Sequence, residues 1–262
     1  MKDDITIKTK HLYEENHNNQ GCLMTIVECD GKNIIVEFQD EYKYRVRSIY
    51  ANFKSGSIKN PYYPSVYGVG ITGCKYPISI DYKLTIEYDA WKQMLRRCFS
   101  NKEKERIPAY KVVSCCDEWL LYENFYEWLH SQPNFDKWAK STRWALDKDI
   151  LMKGNKTYSP DACCLIPQNV NCLFLKREAE RGDYPIGVRY RDGYGFLASC
   201  HNPFTNKKEE IGYYSTPEKA FIAYKNYKED LIKQVAQIEY DANNITEQCY
   251  QAMMSYVVEI DD

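Results

Sequence analysis

Apolar and polar positions alternate over residues 21–49. Leu23, Thr25 and Val27 repeat at period two, as do Ile34, Val36 and Phe38. That spacing predicts two strands, and Asp30-Gly31 between them predicts a hairpin turn, because this pair tolerates the positive φ of a tight turn. A third run, Tyr42 to Ile49, carries Lys43, Arg45 and Arg47 on one alternating face. These cations either track a phosphate backbone or protect a solvated edge strand by their charge. The period becomes helical over 84–99, where Ile86, Ala90, Met94 and Leu95 share a face and Arg96-Arg97 suit the negative helix end. A second helix is expected from Glu118 to Leu129, striped by Leu121, Phe125, Trp128 and Leu129. Further on, an apolar run closes at Asp147-Lys148-Asp149, and a Gly154-Asn155 loop follows. A second run spans Ala162 to Ile166, and Pro167 then stands where a helix takes its first residue. The segment 146–171 thus reads strand, loop, strand, helix.

An α+β protein of several modules follows from these elements. We expect a small β-barrel-like module over 21–72, a central domain over 80–175, a further domain over 180–240 and an acidic tail over 241–262. Residues 1–20 form a polar lead-in. Between Asn52 and Gly70 the chain is aromatic, basic and punctuated by Pro and Gly. It is either a loop whose Tyr and Lys groups touch nucleic acid or a packed connector.

Charge narrows the options. The formal net charge is −2 and the pI about 6.2, so no global basic field marks a nucleic-acid binder. The distribution is uneven: residues 176–208 carry 7 basic and 4 acidic groups, and 209–262 carry 4 and 11. Any phosphate-facing surface is therefore local. The eleven cysteines show no C-x-x-C spacing, and Cys115-Cys116 and Cys163-Cys164 are adjacent pairs, which on a strand point to opposite faces. They are expected as reduced thiols in a cytosolic setting, that of a bacterial host cell if the resemblance below holds. No apolar stretch approaches the length of a membrane span.

Leu146, Asp147, Gly154, Asn155, Tyr158, Pro160, Cys163 and Asn171 resemble the ββα-metal core of a phage family of HNH nucleases. Tyr88, Trp91, Met94, Arg97 and Cys98 resemble its upstream "YxxWxxMxxRC", and Asp117-Glu118-Trp119 with Phe125 a further motif. The resemblance covers 88–171. It implies a DNA endonuclease using one divalent cation, Mg²⁺ or Mn²⁺, held by Asp147 and Asn171; no other cofactor is implied. The catalytic base position is Lys148, and Ala162 replaces a loop-bracing Asn. A lysine between two carboxylates stays protonated, so it grips a phosphate instead of activating water.

Gly187-Val188-Arg189-Tyr190-Arg191, Phe196-Leu197-Ala198 and Ile211 through Ala220 resemble the plant Apetala/ERF DNA-binding domain. That resemblance implies a three-stranded sheet covered by a helix from about Pro217 to Ala236, with the open sheet face reading double-stranded DNA. Arg189 and Arg191 keep two reader positions, and Lys207 and Lys208 stand beside them. Gly193, Phe196, Ser199 and His201 replace residues of the family's contact set. Three functions compete: a phage or mobile-element DNA-binding protein on a degenerate nuclease scaffold, a metal-dependent nickase, and an effector that binds a host defence protein. The chain leaves open whether it is an enzyme and whether it forms a dimer.

Overall fold

The alternating N-terminal run folds as an open meander. In the computed structural model, which describes residues 11–175 and 183–260, β1 (Glu15–His17), β2 (Leu23–Cys29), β3 (Asn33–Phe38) and β4 (Arg45–Ile49) pair antiparallel in chain order. β1 lies inside what reads as a polar lead-in; the first ten residues are outside the described part. The barrel-like expectation is corrected here: among the described residues the sheet is not closed, with β1 and β4 at its two ends, and four strands are too few to curl a sheet into a closed barrel. The face of β2 is also opposite to the expected one. Met24 and Ile26, not Leu23, Thr25 and Val27, join Ile34, Val36 and Phe38 in the core, with Phe53 of α1 (Tyr50–Lys54) and Ile58. A one-residue change of phase swaps the buried set completely, and the larger apolar pair is the one buried. The Asp30-Gly31 turn forms as expected, with Gly31 at φ 94° and the Asp30 carboxylate accepting the Asn33 N–H at 2.9 Å.

Next come a short hairpin, β5 (Ser79–Ile80) and β6 (Lys83–Leu84), and helix α2 (Ile86–Phe99), whose N-terminus is capped by Thr85 accepting the Tyr88 N–H at 3.3 Å. α2 buries Trp91, Met94 and Leu95, and the Trp91 indole donates to the Trp119 carbonyl at 2.7 Å. α3 (Asn101–Arg106), β7 (Ser114–Cys115), α4 (Tyr122–Ser131) and α5 (Phe135–Ala139) follow. The helix expected from Glu118 starts instead as a 3₁₀ turn over Asp117–Leu120 and becomes α-helical at Tyr122.

By its contacts the chain divides into two units, 1–111 with 117–127, and 112–116 with 128–262. In the second, β8 (Trp144–Asp147) pairs antiparallel with β10 (Cys164–Pro167), while β9 (Thr157–Tyr158) pairs parallel with β7. The short helix α6 (Gln168–Leu173) starts directly after Pro167. β11 (Val188–Arg191), β12 (Gly195–Asn202) and β13 (Lys207–Tyr214) form an antiparallel sheet, backed by α7 (Pro217–Asp241). α7 opens on Thr216, which accepts the Lys219 N–H, with Pro217 at the first position. α8 (Glu247–Met254) completes the set of eight helices among the described residues.

One core runs through all of this second unit. Ile150, Cys164, Ile166, Val170 and Leu173 share it with Val188, Ala198 and Cys200 of the sheet, with the α7 seam from Ala220 to Ala236, and with Cys249, Met253 and Val258. Segments that read from sequence as parts of separate domains therefore bury their apolar faces together. The last described residues are also tied in: Lys225 donates to the Val258 carbonyl at 2.6 Å, and Lys153 to the Val257 carbonyl at 2.7 Å. All eleven cysteines are free thiols. No described helix is long and apolar enough to cross a membrane.

Gly187 sets the approach of α7 to the sheet. It sits at φ 78°, and a Cβ there collides with the Tyr224 ring. Gly187→Ala should destabilise this unit by about 2–5 kcal/mol, combining left-handed backbone strain with overpacking. Thermal or denaturant unfolding measures it; a loss below about 1 kcal/mol would show that the helix can shift freely.

Candidate functional site

Two places carry the residues singled out from the sequence, and the structure treats them differently. The first is the turn after β8. Asp147 ends the strand and is only 8% exposed. Its Oδ1 accepts the backbone N–H of Asp149 at 2.9 Å and of Ile150 at 2.8 Å, an Asx-type turn that closes the strand end. Burial, then the neighbouring Asp149 charge, push its carboxyl above the usual value of 3.8. Lys148 donates to Asp149 Oδ2 at 3.0 Å and to the Asn155 carbonyl at 3.3 Å, and its ammonium lies over the Tyr158 ring. Asn155 bridges the loop through the carbonyls of Lys148 and Thr157. Asn171 lies on α6, and its backbone carbonyl accepts the Phe174 N–H.

This loop holds its members by each other. One Asp147 oxygen is committed to two backbone donors. Among the described residues no group of three or more His, Cys, Asp or Glu side chains could hold a metal ion. Asp147 Oδ1 is thus engaged by the turn itself, and Asn171 stands on α6. Lys148 likewise makes its contacts with members of the same loop.

The second place is the face of the β11–β13 sheet turned away from α7. Pairing fixes its members: Arg189 faces Leu197, Leu197 faces Tyr213, and Ser199 faces Glu210. Arg191, Ser199, His201 and Lys208 belong to the same face by alternation. Val188, Ala198 and Cys200 point the other way, into the core with Phe221 and Tyr224. The pairing shifts between Ala198 and Ser199, because Ile211 is an extra residue in β13. That bulge brings Glu210 and Tyr213, three positions apart, onto one face. Arg191 donates to the Tyr213 hydroxyl at 2.7 Å and lies 3.1 Å from Glu210, which also lies 3.5 Å from Arg189. The Tyr194 and Tyr213 rings pack with centroids 5.4 Å apart, and Tyr194 is 71% exposed. Lys207 and Lys208 begin β13 and are exposed. The result is a half-exposed surface of two guanidinium groups, two phenol rings and one carboxylate. Sequence reasoning found the arginines and lysines and missed Glu210, Tyr194 and Tyr213.

The remaining candidates are engaged elsewhere. Arg45 and Arg47 lie on the edge strand β4, bonded at 2.7 Å each to Glu37 and Asp30. In the 52–70 stretch Phe53, Ile58, Asn60 and Gly70 are buried, and Asn60 donates to Asp40 while its N–H meets Gln20. Lys54, Lys59, Tyr63 and Tyr67 of the same stretch are exposed.

Comparison with known proteins gives one point of contact. The chain is 31% identical over 83 residues to Ethylene-responsive transcription factor ERF116 of Arabidopsis thaliana, a match covering 30% of this chain and 29% of that protein. The chain thus spans under a third of that relative's length. No family model matches the chain, and no solved structure matches it.

The geometry of Asp147 has a measurable consequence. Asp147→Ala leaves two backbone donors without an acceptor and should cost about 1–3 kcal/mol of stability. Asp147→Asn keeps an acceptor oxygen and removes the charge. Because the folded carboxyl titrates above its ordinary value, the native state holds the proton more tightly, and wild-type stability falls as pH rises through the folded value. The Asn variant should therefore be at least as stable as wild type at pH 7, with its advantage shrinking as pH falls toward 3.8. Unfolding curves at pH 4 and pH 7 decide; an Asn variant less stable at pH 7 than at pH 4, relative to wild type, contradicts this account.

Proposed function

We propose that this protein binds double-stranded DNA through the open face of the β11–β13 sheet, and that the 144–173 segment serves it as scaffold and not as a cutting centre. The observation that carries the reading is the placement of Arg189 and Arg191, each about half exposed, side by side on the sheet face turned away from α7. Two-stranded and three-stranded ribbons fit the major groove, and arginine is the side chain best suited to the paired acceptors of guanine. Lys208 lies on that face and Lys207 on the opposite one, both at the start of the edge strand β13, where they supply phosphate contacts that position the protein without reading sequence. The similarity to a plant transcription factor supports the same reading. The finer assignment, a phage or mobile-element protein on a nuclease-like scaffold, rests on the motifs over 88–171. On that scaffold Lys148 neutralises its own neighbours, so binding without efficient cleavage is the expected behaviour.

DNA affinity should fall steeply with salt, since each phosphate contact releases counterions. Arg189→Ala or Arg191→Ala should each weaken binding by about 1–3 kcal/mol if each reads a base edge. Lys207→Ala and Lys208→Ala should weaken all duplexes alike and lower the salt slope by about one unit each. Titration of labelled duplex against the full chain at several salt concentrations provides the measurement. Binding indifferent to both arginine changes, or absent at low salt, removes this sheet from the role.

A further inference from the structure

The arginine face carries a carboxylate in its centre, which a surface built only for phosphate has no use for. Glu210 Oε1 lies 3.1 Å from Arg191 and 3.5 Å from Arg189, and all three side chains are close to half exposed. Exposed ion pairs of this kind add at most about 1 kcal/mol to folding, and the core of the unit lies on the opposite face. Fold stability therefore does not account for Glu210. Its position is set by the bulge at Ile211, which turns it toward the arginines. The carboxylate halves the net charge of the pair and holds both guanidinium groups in an intramolecular contact. Arg191 is held a second time by the Tyr213 hydroxyl.

We propose that Glu210 is a specificity-determining residue, which weakens the hold of this face on phosphate and accepts a hydrogen bond from the exocyclic amino group of a base. The inference rests on the DNA-binding reading above. An ionised carboxylate has only acceptors. Against a phosphate it meets like charge and acceptor against acceptor, so contacts to the backbone of any sequence are penalised. Against a groove edge it meets the N4 amino group of cytosine or the N6 amino group of adenine, both donors. The arginines leave the carboxylate in either case, so that cost is common to all sequences. What differs is the partner the carboxylate then faces. Random duplex is held less tightly, and a matched edge recovers the loss.

The test uses the full chain, a labelled duplex pool of random sequence, and a duplex enriched from that pool by selection with wild type. Glu210→Gln keeps the shape and removes the charge. It should bind the random pool roughly three- to tenfold more tightly at low salt, with a salt slope steeper by about 0.9, as one more phosphate contact is gained. Its preference for the enriched duplex over the pool should shrink. Melting should stay near wild type, since the pair is exposed. Unchanged pool affinity and slope, with wild-type binding that does depend on Arg189 and Arg191, overturns the role of Glu210 and leaves the DNA reading standing. Wild-type binding that is absent, or blind to the double Arg189→Ala, Arg191→Ala change, overturns both.

Discussion

The apolar seam of α7 is the constraint on which the second unit depends. Ala220, Phe221, Tyr224, Leu231, Ile232, Val235 and Ala236 recur at helical spacing and meet, along one helix, the sheet, the β8–β10 pair, α6 and α8. None of those pieces is large enough to bury its own apolar face. The two-stranded β8–β10 pair is too small to stand alone in water, and the three-stranded sheet buries one face against the helix. Burial at about 25 cal/mol per Å² rewards a shared partner over several small cores. The seam has one polar interruption, Lys228, which is buried and held below its ordinary value by desolvation. Burial there disfavours the charged form of its ammonium.

Local pattern made much of this architecture legible. The turn at Asp30-Gly31 and the strand–loop–strand–helix order near residue 150 both rest on signals a few residues long. Where the sequence misled, the deciding contact was distant or the period was broken. Both faces of β2 carry apolar residues, so alternation alone could not say which is buried. At β13 the failure was more informative. Strict alternation puts Glu210 and Tyr213 on opposite faces, and only the extra residue at Ile211 unites them. The bulge at Ile211, beside Gly212, breaks the alternation on which the sequence reading rests, and the acid at the centre of the candidate surface was therefore hidden.

The turn after β8 shows a different limit. Asp147, Lys148 and Asp149 announce chemistry by their residue types, yet their hydrogen bonds go to the loop itself. Here the carboxylate that resembles a metal ligand closes a turn, and the lysine at the base position braces a neighbour. In the sheet the order is reversed: Arg189 and Arg191 are close to half exposed and meet Glu210 across the same face.

The interleaving of the two units has a consequence for synthesis. The first unit is complete in the chain by Glu127, but β7 lies inside its span and pairs with β9, made some forty residues later. The second core includes Val258. At the usual pace of translation, that core waits on the order of ten seconds after the first unit is available to fold. During that interval the arginine-bearing sheet emerges before the far end of the helix that covers it. A nascent chain in this state exposes Val188, Ala198 and Cys200 to solvent, and it is there, rather than in the finished fold, that chaperones have most to shield.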